Sequence, residues 1–210
     1  MTELILLGVL TATYLMVIAK RMPALIRSFC YQSFFLFLVT LLSGFMEKQA
    51  DLYIIALLIL VSKVIIIPYA LGLIAKKINI DDNLGLFVNA QLSLITALIL
   101  TYCSWVFAKT LGFGQGYQLL AITVALSVIF IGAFLMISRM KALTQVVGLL
   151  VMENGIFLFA SFVSNGMPFF VEIAIFLDVF VSVIIMGLFV YKINKLFTHI
   201  DVNKLSRLKG

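Results

Sequence analysis

The chain has 210 residues, of which 64% are hydrophobic and 11% charged, with a mean hydropathy of +1.22 and a formal net charge of +6. An average soluble domain carries roughly 45–50% apolar and about 25% charged residues, so a water-soluble fold of this size is excluded. With about 20 residues for each membrane span, the length also leaves no room for a separate soluble catalytic domain.

Apolar stretches bounded by charges, Gly or Pro predict helices over 3–19, 28–46, 52–75, 84–108, 117–137, 143–163 and 168–191. The first follows an acid, Glu3, and precedes the bases Lys20 and Arg21. That order is the reverse of a cleaved signal and predicts a retained helix. The third is long, and Pro68 within it predicts a kink, because proline lacks the amide that would bond to the carbonyl of Val64. Gly112, Gly114 and Gly116 mark the turn after the fourth stretch, and Asn165, Gly166 and Pro168 the turn before the seventh. The predicted fold class is thus an all-α integral membrane bundle of about seven helices. Its sections are a four-helix region over 1–116, a three-helix region over 117–191 and a basic tail over 192–210.

If these helices alternate across the bilayer, twelve basic residues fall on one side: Lys20, Arg21, Arg27, Lys76, Lys77, Arg139, Lys141, Lys192, Lys195, Lys204, Arg207 and Lys209. Only Lys48 and Lys109 fall on the other. The bias predicts an outside N-terminus and a cytoplasmic C-terminus. Because the bases follow topology and form no single stripe, no nucleic-acid partner is expected. The tail is expected to lie along anionic headgroups or to dock on a cytoplasmic partner.

Three ionisable residues stand near the centres of predicted spans: Lys63, Glu153 and Asp178. Such groups cost roughly 2.5–3.5 kcal/mol on insertion scales and ordinarily face a partner, a bundle interior or a hydrated path. Desolvation disfavours the charged form of a carboxylate and of an ammonium alike, which suits all three to proton exchange. The competing explanation is that they pair with one another, or hydrogen-bond neutrally, and so glue helices together. Gly148 and Gly155 flank Glu153 and predict a close helix contact there. Lys63 beside Pro68 predicts a kinked, hydrated helix centre, or a plain kink with the lysine paired to a carboxylate. Glu172 is read as an interfacial acid, Glu47, Asp51, Asp81 and Asp82 as loop acids, and Trp105 with Tyr102 as interface anchors. Cys30 and Cys103 fall in different spans and the single His199 lies in the tail, so no metal site and no cofactor bound by this chain are expected.

The stretch Val147-Gly148-Leu149-Leu150-Val151-Met152-Glu153-Asn154-Gly155, the following span with Asp178 and the tail with Ile200-Asp201 resemble a known family. Residues 117–210 resemble the three-helix K subunit of respiratory complex I and the C subunit of Mrp-type antiporters. In its entirety the chain resembles the hydrogenase-4 component E family of membrane-bound nickel–iron hydrogenase and formate hydrogenlyase-like complexes. Two departures stand out. The complex I relative usually carries its first buried glutamate at the position of Leu150, one turn before Glu153, and Asp178 takes the place of a glutamate.

The resemblance implies a non-catalytic subunit of a hetero-oligomeric complex in a bacterial or archaeal cytoplasmic membrane, beside antiporter-like and hydrogenase-like chains. Proton or ion movement coupled to electron transfer would run through Glu153 and Asp178, with Lys63 as a third member. Alternatives are a stand-alone transporter, disfavoured because Pro68 has no counterpart inside later spans, a retinal-type photoreceptor, disfavoured because Lys192 is only at the end of the seventh span, and a structural scaffold.

Overall fold

The computed structural model describes residues 2–48, 50–77, 88–112 and 116–163. All belong to one compact unit, Met1–Ile175; the second, Phe176–Gly210, lies outside the described residues. So do the predicted seventh span with Asp178 and Glu172, the loop acids Asp81 and Asp82, and the tail with His199.

Six helical rods account for six of the seven predicted spans. They are α1 (Thr2–Ile18), α2 (Met22–Glu47), a composite third rod, α5 (Ala90–Thr110), α6 (Tyr117–Ser138) and α7 (Ala142–Val163). The third rod comprises α3 (Ala50–Ile59), a π-helical segment (Leu60–Ile66) and α4 (Ile67–Lys77). Five rods are long and apolar enough to cross a membrane, and α1 is a shorter apolar helix. Helices suit this solvent because each backbone amide finds its acceptor within its own segment. Many Ser and Thr hydroxyls follow the same rule by donating to the carbonyl one turn earlier, as in Thr40 to Leu36 and Ser127 to Thr123.

Helix ends follow local chemistry. Extended Arg21 precedes α2, and Pro23 in its first turn starts the helix earlier than hydropathy suggests, so that Arg27 is helical and not in a loop. Gly112, at φ +76°, closes α5 by donating to the Lys109 carbonyl. Gly116, at φ +84°, opens α6.

In the packing, α6 is central: it touches α1, α5 and α7, while α2 contacts α1, α7 and the third rod. Its apolar window is 61% buried against 17% for α5, which lies at the periphery. The closest approach is between α6 and α7, where lipid provides no hydrophobic drive between helices and small residues let backbones touch. A Cβ added at Gly132 would meet the Met152 backbone nitrogen at 2.6 Å, one at Gly148 the Met136 nitrogen at 2.8 Å, and one at Gly155 the Ile129 nitrogen at 2.7 Å.

Beyond α6, Arg139 turns inward and is 1% exposed. Its guanidinium donates to the carbonyls of Met16, Val17 and Ala19 at 2.9, 3.0 and 3.1 Å, capping the C-terminal end of α1. Its own backbone carbonyl accepts from the Gln145 amide at 2.9 Å. Desolvation lowers this guanidinium to about 10, which leaves it charged at neutral pH. Arg139 is therefore a buried helix cap rather than an exposed loop charge, and it gathers Lys20, Arg21 and Lys141 at one end of the bundle.

Gly132→Val drives a branched side chain into the α7 backbone and is expected to destabilise the protein by about 1–3 kcal/mol. Thermal melting in mild detergent measures the loss.

Candidate functional site

Near the middle of the third rod the backbone leaves α-helical register. The Ile67 amide donates to the Ser62 carbonyl, five residues back, which is the π spacing. Pro68 immediately follows and donates nothing. The Val64 carbonyl, which the proline would otherwise leave without its α-helical donor, accepts from Cys30 Sγ on α2 at 3.5 Å. The rod is continuous through a π segment that ends just before Pro68, and Lys63 sits inside that segment.

Lys63 is 2% exposed and donates from Nζ to Asn154 Oδ1 on α7 at 2.7 Å. The short distance is that of a charge-assisted hydrogen bond. Asn154 Nδ2 donates in turn to Gln32 Oε1 at 3.0 Å and to Ser33 Oγ at 3.3 Å, both on α2. Gln32 Nε2 donates to Thr13 Oγ1 on α1 at 2.8 Å, and Thr13 donates to the Val9 carbonyl at 2.8 Å. Thr13, Gln32, Ser33 and Asn154 are each buried. A polar chain therefore crosses four elements near the middle of their helices, where every unsatisfied group would be costly.

Glu153 precedes Asn154 and is half-buried, with both carboxylate oxygens shielded from the surroundings. At 100° per residue it lies about 200° around α7 from Gly155. The glycines flanking it thus do make the expected close contact, but with α6 and on the opposite side of the helix.

Of the residues singled out in the sequence, Lys63 and Pro68 share one distorted segment, and Lys63 is joined to the residue next to Glu153. Asp178 lies outside the described residues. Asn154 entered the sequence analysis only as a neighbour of Glu153, and Thr13, Gln32 and Ser33 did not enter it. A glutamine in an otherwise apolar span was the available signal, since an uncharged amide at that depth also needs partners. Trp105 stacks near Tyr102 and under the Lys109 ammonium, 4.4 Å from the ring centroid.

Hydrogenase-4 component E of Escherichia coli is 33% identical over 153 residues, covering 71% of this chain and 70% of that protein. The Shigella flexneri protein of the same name matches to the same extent. An uncharacterised protein of Mycobacterium tuberculosis is 26% identical over 204 residues, 96% of this chain and 93% of its own length. No family model matches the chain, and no solved structure does.

Removing either end of the central bond deletes a buried, charge-assisted hydrogen bond, so Lys63→Met and Asn154→Leu should each cost about 1–3 kcal/mol. The double variant is expected to lose about 0.5–3 kcal/mol less than the two singly summed. Detergent melting curves of the four proteins check the coupling.

Proposed function

The chain belongs to the hydrogenase-4 component E family, and from that premise we propose that it is a non-catalytic membrane subunit of a hydrogenase-type oxidoreductase complex. In this role it helps couple electron transfer to the movement of protons or other ions. The observation that carries the proposal is a lysine buried near mid-span, hydrogen-bonded to α7 at the residue next to a shielded glutamate. Membrane proteins keep ionisable groups at that depth chiefly for ion pathways and their control.

Lys63 and Glu153 are the exchanging groups on this reading, with Asp178 as a further member. Glu153 can take up and release a proton at its carboxylate, while the Lys63 ammonium, bonded to the next residue of α7, offers a positive charge. A cation approaching the lysine is repelled and a proton leaving the carboxyl is favoured, so the pair can gate movement in both directions. Redox chemistry belongs to partner chains: the sequence holds a single histidine, His199, and two cysteines in separate spans, too few for nickel or iron–sulfur ligation. The partners are hydrogenase-like and antiporter-like subunits, in keeping with the resemblance of 117–210 to the K subunit of complex I. The basic end of the bundle faces the cytoplasm of a bacterial or archaeal cell.

Purification in mild detergent followed by mass spectrometry should recover hydrogenase-like and antiporter-like chains; a homo-oligomer alone would point to a transporter. In that complex Glu153→Gln is expected to preserve assembly and electron transfer while ion transfer falls by about 10²-fold or more, the contribution of one proton-transferring group. Undiminished ion transfer in vesicles would count against the role.

A further inference from the structure

The direction of every hydrogen bond in the buried chain is dictated from both of its ends. Lysine has donors and no acceptor, so Asn154 must turn Oδ1 toward Lys63 and its amide nitrogen toward α2. Gln32 must then present Oε1 to Asn154, which leaves Nε2 for Thr13. At the far end stands a backbone carbonyl, that of Val9, which only accepts, so the Thr13 hydroxyl must donate to it and accept from Gln32. Both ends impose the same one-way order, Lys63 to Asn154 to Gln32 to Thr13 to Val9. In such a chain each bond polarises the next, and the electron density gathers at the oxygen that meets the ammonium.

We infer that Asn154, Gln32 and Thr13 are positioning residues that fix the Lys63 ammonium at one point against α7. The inference rests on the role of Lys63 in ion transfer proposed above. The geometry suits positioning: Lys63 stands on a π turn, and its ammonium is buried against another helix. The anchor is an amide whose own two N–H groups are held by Gln32 and Ser33 on α2. Gln32 is held by Thr13 on α1 in turn, so the lysine's place is referred to three other helices. An amide does not give up its proton at neutral pH, so the chain orients Lys63 without offering protons a second exit. Among the described residues, Cys30, hydrogen-bonded to the Val64 carbonyl, and Glu153, next to Asn154 in sequence, are titratable side chains of this neighbourhood. Tyr31 and Tyr69, also on the packed elements, are largely exposed.

The test uses the intact complex in inverted membrane vesicles and reads ions moved per electron pair, a ratio that loss of assembled complex leaves unchanged. Asn154→Leu is expected to lower the ratio about tenfold, the equivalent of one hydrogen bond to a charged group. Thr13→Val, which keeps shape and removes the hydroxyl, should lower it by a smaller factor, and Thr13→Ser, which keeps the hydroxyl, should match the wild type. A packing role predicts the opposite order at position 13, because valine preserves the volume and serine does not. A ratio unchanged in Thr13→Val and Asn154→Leu, or lowered only in Thr13→Ser, overturns the inference. Lys63→Met separates the two claims: if it lowers the ratio while those variants do not, positioning alone fails. If Lys63→Met keeps the wild-type ratio, the role of Lys63 itself fails and the inference goes with it. Should Asn154→Leu not assemble, the order of the two Thr13 variants decides.

Discussion

An ammonium near the middle of a membrane helix can exist only where something fixed accepts its hydrogen bonds, and the Lys63–Asn154 contact meets that requirement in this protein. Because the acceptor is on α7 and is itself tied to α2 and α1, the bond determines which helices must be neighbours and in what register. Sliding any of them by a turn would strand a buried polar group in a medium that offers no replacement. Apolar packing between these helices is comparatively permissive, since lipid tails compete for the same contacts. The polar chain therefore supplies specificity that hydrophobic surface cannot.

Around that constraint the remaining structure divides its labour. The glycines of α6 and α7 bring two backbones into close contact. Arg139 ties the end of α1 to the turn between α6 and α7. The π segment before Pro68 gives Lys63 a backbone position that a regular helix would not, and Cys30 satisfies the carbonyl disturbed in the process. Alpha5, peripheral and largely apolar on its outer face, takes no part in the chain and meets α1 through Tyr14 and Thr101.

The glutamate next to the anchor lies on the side of α7 away from the glycine seam, so the ionisable face of this helix and its packed face are separate.

Hydropathy and length by themselves determined that this chain is a membrane protein of long helices, and where six of them run, because burying 64% apolar residues among so few charges has one physical solution. The cost of charge in lipid likewise made Lys63 and Glu153 conspicuous. Other features had no local signature. Nothing near Asn154, Gln32 or Thr13 in sequence says that they meet, since hydrogen bonds between residues 19 to 122 positions apart exist only once the helices are packed. Arg139 reads as an ordinary loop charge until the end of α1 arrives beside it. Tertiary structure alone decided which polar groups pair and which face of α7 each neighbour occupies, because side-chain direction depends on how whole helices are rotated against one another.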